Sequence, residues 1–167
     1  ALAGSGRPFI GTAGVLIDNP ILGRPLDEDD PKPPTKFPRV SEEATLDTVG
    51  KGIRGIVMRL SQIHDTHRQG LVSFLIQTAL EKKVSAYVGD GGNRWAAAHV
   101  SDTARLYRLA LEKADAGSKW HAVAEQGVSA REIAEALGRR LKLPVVSISP
   151  EEAAAHFGFL SNFMLLD

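Results

Sequence analysis

The run Gly89-Asp90-Gly91-Gly92-Asn93-Arg94-Trp95, followed closely by Ala98-His99-Val100-Ser101-Asp102-Thr103-Ala104, decides how this chain is read. Glycines and an asparagine in such density do not fill a core. Glycine reaches positive φ and lets a ligand approach the backbone, and a buried tryptophan beside an arginine is costly unless something sits against them. Outward from this turn, Ser85–Val88 reads as a short strand, and Leu71–Lys83 carries apolar residues around a well-buried helix. Ile53–Leu60 is β-branched and apolar, as a buried strand requires. Beyond the turn, Ala104, Tyr107, Leu111 and Ala114 fall on one stripe of a second helix, with Ser101 or Asp102 as its cap. Strand, helix, strand, turn and helix in succession make an α/β pattern.

Composition narrows the class. Lys plus Arg number 20 and Asp plus Glu number 20, so no net field draws the chain to nucleic acid or to an anionic membrane. Apolar residues make 43% and charged residues 24%, the mix of a soluble globular chain. Without cysteine there is no disulfide, no thiolate nucleophile and no Cys-ligated zinc. No apolar run reaches the roughly 18 residues of a membrane-spanning helix, and the opening Ala1-Leu2-Ala3-Gly4-Ser5-Gly6 does not read as a signal peptide. The expectation is a cytoplasmic protein.

Arg7-Pro8-Phe9-Ile10-Gly11-Thr12 reads as a buried parallel strand, and Gly11-Thr12-Ala13-Gly14 as a glycine turn after it. A dinucleotide fingerprint needs three spaced glycines opening a helix, and this turn meets Pro20 and Pro25 instead. Positions 18 to 38 form a long loop stiffened by Pro20, Pro25, Pro31, Pro33, Pro34 and Pro38 and wetted by Asp27-Glu28-Asp29-Asp30. Adjacent acids point in different directions, which argues against a metal site there. Ser41 reads as the cap of a helix stopped by Gly50-Lys51-Gly52. Further on, Lys119–Ala124 and Val145–Ile148 read as strands. Ser129-Ala130-Arg131-Glu132 and Ser149-Pro150-Glu151-Glu152 are capping boxes, and the helix after the first pairs Glu135 with Arg139 on its outer face. The tail from Phe157 to Leu166 is apolar.

The Gly-Asp-Gly turn leading to His99-Val100-x-Asp102-x-Ala104 resembles the second half of the extended short-chain dehydrogenase/reductases, the NAD(P)-binding epimerase/dehydratase group. In that group a strand ends in Arg-Pro-x-x-Val-Tyr-Gly; here the place is held by Arg59-Leu60-Ser61-Gln62-Ile63-His64-Asp65. The resemblance runs over essentially the whole chain and implies the C-terminal half of a Rossmann-like doubly wound parallel sheet over residues 1–128, including the 18–40 loop, plus a small substrate-side α/β lobe over 129–167. The first four strands and the glycine loop that holds the pyrophosphate have no counterpart. A piece of a longer protein is therefore expected, or a complementing chain that supplies the N-terminal half, since the strand at Phe9 would otherwise keep a bare edge.

What the resemblance implies for chemistry is specific. Thr12 matches the catalytic hydroxyl beside the nicotinamide, although a threonine satisfying its own turn is the other reading. Leu60, Ser61 and Ile63 would pass the nicotinamide ribose, with NAD or NADP bound mainly by the absent half. His64 stands in place of the usual tyrosine and, with Arg94 and Trp95, would meet a small-molecule substrate. His64 and His67 fit no standard metal spacing. His99 can instead bond backbone and fix the corner between sheet and helix. The family's Tyr-x-x-x-Lys pair falls on Pro38 and Glu42, and proline has no proton to transfer while a carboxylate cannot lower a tyrosine pKa. Thr12 and His64 remain as catalytic candidates. Two functions follow: part of an NAD(P)-dependent oxidoreductase or epimerase, or a dinucleotide-binding sensor of the same fold without catalysis. A homodimer is compatible with either.

Overall fold

The computed structural model describes residues 2–15, 24, 26–30 and 40–165. The loop prolines Pro20, Pro25, Pro31, Pro33, Pro34 and Pro38, and the tail residues Leu166 and Asp167, lie outside the described residues. In chain order the strands are β1 (Pro8–Gly14), β2 (Arg54–Leu60), β3 (Gln62–His64), β4 (Ser85–Val88), β5 (Arg94–His99), β6 (Lys119–Ala122), β7 (Glu125–Ser129) and β8 (Val145–Ile148). The helices are α1 (Ser41–Leu46), α2 (Val72–Lys82), α3 (Val100–Lys113), α4 (Ala130–Leu141), α5 (Pro150–Phe157) and α6 (Ser161–Leu165).

The chain divides into two units, and each is made of two segments. The first joins Ala1–Ser61 to Ala98–Ala124. Its sheet is parallel, in the order β1-β2-β6, with Phe9 opposite Gly55, Thr12 opposite Met58 and Arg59 opposite His121. Alternation sends Ile56 and Met58 to one face, where they pack with Ala110 and Ala114 of α3 and with Ala122. Gly55 and Arg59 face the other way, toward α1. There the glycines take on a meaning that the sequence reading missed. A Cβ on Gly11 would stand 1.7 Å from Thr45 Oγ1, and one on Gly55 2.5 Å from the Thr45 carbonyl oxygen. Gly11-Thr12-Ala13-Gly14 is thus not a turn but the body of β1, and its first glycine lets a helix lie directly on the sheet backbone. Ser41 is likewise not a cap: it lies inside α1, whose cap position is Val40 with no side-chain bond.

The second unit joins Gln62–Ala97 to Glu125–Asp167. It holds a small sheet in the order β3-β5-β7, antiparallel between β5 and β7 with a bulge between Trp95 and Ala97, and a separate parallel pair of β4 with β8. Leu75, Val88, Trp95, Phe157, Leu160 and Met164 fill its core. A single boundary after residue 128 does not describe this division: β6 pairs with β2, which draws it into the first unit, while β4 pairs with β8 and belongs with the second. Strands β3, β5 and β7 were not legible as strands. Both capping boxes are present, with Ser129 Oγ accepting from the Glu132 N–H at 3.2 Å and Ser149 Oγ from the Glu152 N–H at 3.4 Å. Glu135 pairs with Arg131 at 2.9 Å rather than with Arg139, because Arg131 is drawn to that side over the Tyr87 ring.

Candidate functional site

In open parallel sheets, ligands bind beyond the carboxyl ends of the strands. In the first unit these ends belong to β1, β2 and β6. Thr12 projects from β1 and its Oγ1 lies 2.6 Å from the Tyr107 hydroxyl of α3, so the threonine is held by a phenol rather than by its own turn. Leu60 closes β2, and its carbonyl accepts from the Val15 N–H at 2.8 Å. Ser61 Oγ donates to the Ala122 carbonyl at 2.6 Å, tying the ends of β2 and β6 together. Leu60 and Ser61 therefore carry the shape of the strand ends, with their polar atoms engaged by the sheet.

Beside them lies a charge cluster that sequence reasoning did not assemble. Arg59 is 3% exposed and Glu42 7%, and the pair is bidentate: Arg59 Nη2 reaches Glu42 Oε1 at 2.6 Å and Nε reaches Oε2 at 3.1 Å. Arg59 Nη1 lies 3.0 Å from His121 Nε2. A guanidinium only donates, so Nε2 accepts and the ring proton sits on Nδ1. Burial pushes the His121 imidazole below its ordinary value, and Arg59 adds in the same direction against the opposing Glu28. The His121 backbone N–H donates to Glu28 Oε1 at 2.9 Å, which anchors the acidic run Asp27-Glu28-Asp29-Asp30 to the outer side of β6. That run is less loosely solvated than its composition implied. Arg24 donates twice to Asp30 at 2.8 Å and holds its carboxyl down at about 2. The signal for the buried pair was an arginine set directly after the apolar run Ile56-Val57-Met58.

The remaining candidates stand in the second unit. Ile63 and His64 lie on β3, and the following Asp65 accepts from the N–H groups of His67 and Arg68 at 2.6 and 2.5 Å, an Asx turn. Those backbone bonds, Arg68 first, hold the Asp65 carboxyl below its ordinary value. Among the described residues no group of three or more His, Cys, Asp or Glu is arranged to hold a metal. Trp95 is 4% exposed and donates its indole N–H to the Phe163 carbonyl at 3.1 Å, so this ring packs against protein. Arg94 is exposed and gives Nη1 to the Gly127 carbonyl at 2.9 Å. Asn93, between turn and strand, has its Nδ2 buried without a partner. Gly91 needs both its positive φ of 70° and its bare Cα, since a Cβ would meet Arg131 Cβ at 2.6 Å and Tyr87 Cδ2 at 2.7 Å. Back in the first unit, His99 caps α3, its Nδ1 accepting from the Ser101 N–H at 3.2 Å, where Ser101 or Asp102 was expected.

The fold these elements define is a Rossmann-like α/β fold, with a parallel sheet and small appended sheets. The crystal structure of DesIV, a dTDP-glucose 4,6-dehydratase from Streptomyces venezuelae with NAD and TYD bound, superposes on 85% of this chain and 47% of its own, with a TM-score of 0.69 and 18% identity. Human epimerase family protein SDR39U1 with NADPH superposes on 96% of this chain and 55% of its own, with a TM-score of 0.64 and 20% identity. In sequence the chain is 46% identical to uncharacterized protein C2A9.02 of Schizosaccharomyces pombe over 99% of its length, which is 57% of that relative. The chain thus spans about half the length of the proteins it matches. No family model matches it. Among the described residues no helix is long and apolar enough to cross a membrane.

Proposed function

We propose that these residues form part of an NAD(P)-dependent oxidoreductase of the epimerase/dehydratase kind, binding a small-molecule substrate beside a nicotinamide. The observation that supports this is the shared fold with DesIV and SDR39U1, whose structures hold NAD and NADPH respectively. The residues present suit the nicotinamide end and not the pyrophosphate. Gly11 has no space for a phosphate because Thr45 stands where its Cβ would be, and Gly14 lies in a strand. On this reading the pyrophosphate would be held elsewhere than at these two glycines, as the resemblance implies. In the first unit, Thr12, with the backbone of Leu60 and Ser61, would border the nicotinamide and its ribose, and Tyr107 would keep the Thr12 hydroxyl oriented. Bound nicotinamide would supply or accept the hydride. Within the second unit, His64 and Arg94 would be the candidates to meet substrate, with the unpaired Asn93 amide as a donor for an acceptor oxygen. Trp95 would support Arg94 from the core.

A second reading, a dinucleotide-binding sensor without catalysis, is favoured by one observation. Glu42, at the place of the family's lysine, is spent on Arg59. Calorimetric titration of the longest natural protein carrying these residues with NADH and NADPH tests both readings, and no heat with either cofactor would sink both. Oxidation of the bound cofactor by carbonyl compounds, lost in His64→Ala or Thr12→Ala, would then separate enzyme from sensor.

A further inference from the structure

His121 stands between two sets of charge on the α1 side of the sheet. In a parallel ladder, alternate residues of a strand bond to one neighbour and the residues between them point their N–H and C=O groups the other way. The Val57 N–H donates to the Ser118 carbonyl at 2.9 Å, so the even-numbered residues of β6 serve β2 and the His121 N–H points away from it. Glu28 Oε1 takes that N–H at 2.9 Å. Glu28 belongs to a turn that closes on itself. Asp27 Oδ1 accepts from the N–H groups of Asp29 and Asp30 at 3.0 and 3.1 Å, Asp30 Oδ2 accepts from the Asp27 N–H at 2.8 Å, and Arg24 clasps Asp30. The turn is a preformed strap, fastened to β6 through Glu28. The His121 ring is fastened elsewhere, to Arg59 Nη1, and Arg59 is itself held by both carboxylate oxygens of Glu42. The charged groups that act on the imidazole are thus Glu28 and Asp27 from the strap, Arg59 from β2 and Glu42 from α1.

We infer that His121 is a pH-sensitive latch: on taking a proton from solvent its imidazole leaves Arg59 for the carboxylates of Glu28 and Asp27, and ties the acidic turn to β6 by charge as well as by a backbone bond. The reason lies at Nε2. That atom accepts from Arg59, and a guanidinium has no lone pair with which to accept in return. Once Nε2 carries a proton, two cations face each other at 3.0 Å. Arg59 is buried and bonded twice to Glu42, whereas His121 is only half-buried, so the ring is the partner that moves. Of the three carboxylates acting on it, Glu42 is committed to Arg59, which leaves the two of the strap. Burial and Arg59 oppose the proton, so the latch turns on the acid side of the ordinary histidine range. His121 is next to last in β6, at the end of the sheet beyond which ligands bind, so acid fastens polypeptide at the rim of that end. The latch goes beyond the cofactor reading and does not depend on it.

Nuclear magnetic resonance tests the latch in the longest natural protein carrying these residues, labelled on histidine, glutamate and arginine. Between about pH 8 and 5 the His121 ring titrates with a midpoint below the ordinary 6.5. As it does, its Overhauser contacts with the Arg59 side chain fade, those with Glu28 grow, and the Glu28 carboxyl carbon moves with the same midpoint. Glu28→Gln keeps an acceptor for the backbone N–H and removes the charge, so the proton affinity of His121 falls roughly threefold or more, and further with Asp27→Asn added. A merely structural strap would leave that affinity where it was. A ring that keeps its Arg59 contacts through the titration, or stays neutral down to about pH 5, overturns the inference. So does an unchanged affinity in Glu28→Gln. No cofactor enters the measurement, so absence of heat with NADH and NADPH would remove the functional reading and leave the latch to stand or fall by itself.

Discussion

Gly11 and the Glu42–Arg59 pair show how single residues set the first unit. Gly11→Ala would force α1 away from the sheet, and overpacking of this kind costs about 1–3 kcal/mol or more. The urea midpoint should fall accordingly, with the slope unchanged. Arg59→Met leaves the Glu42 carboxylate buried without its partner, and about 3–5 kcal/mol should be lost. The double variant Glu42→Leu with Arg59→Met should recover much of that loss, because a buried ion pair adds little net stability over apolar groups of similar size. His121 brings a pH dependence. Its pKa lies below the ordinary 6.5 in the folded chain, through burial first, and His156 is lowered the same way. The unfolded chain then binds the proton first, so stability is intact above about pH 6.5 and falls as the pH drops below it toward the folded values. Urea midpoints at about pH 7.5 and 5.5 should show the drop, and His121→Gln should shrink it. Sequence alone gave Gly11 as a turn residue. A glycine required by a neighbouring helix and one required by a turn are identical in sequence, and only Thr45, far along the chain, tells them apart.

Elements were legible where their signals are local. The capping boxes at Ser129 and Ser149 are complete within four residues, and they open α4 and α5 as the pattern demanded. Ser129→Ala should cost about 1 kcal/mol, read as a lowered thermal midpoint. At the other end of α4, Lys142 takes φ of 57°, a left-handed cap usually given to glycine. Lys142→Gly should therefore stabilise by about 0.5–1 kcal/mol in the same assay, the relief of strain exceeding the added freedom of the unfolded chain. The strands β3, β5 and β7 escaped notice because none alternates cleanly. Arg94–His99 is small and mixed, and its strand character comes from Glu125–Ser129, distant in sequence. The candidate site divides on the same line: the glycine turn could be read in order, while the Arg59–Glu42–His121–Glu28 cluster needs four separate segments folded together.

At the scale of the whole molecule, each unit carries one tryptophan. Trp95 lies in the core of the second unit, whereas Trp120 on β6 of the first is 38% exposed. With Trp120→Phe, the remaining emission should be blue-shifted and shielded from acrylamide; with Trp95→Phe, it should be red-shifted and readily quenched. The interleaving of the two units also governs how they are born. By the time residues 1–61 have left the ribosome, β1 and β2 are out but β6 and α3, which pair with their sheet and cover its apolar face, are still to be made. The second unit then begins and is interrupted in turn by Ala98–Ala124. A nascent chain halted near residue 97 would hold two unfinished cores with sticky parallel strands, the intermediate that chaperones capture and proteases clear. Translation past Ala124 adds the first unit's second segment, and Glu125–Asp167, bringing β7, β8 and α4 to α6, adds the second's.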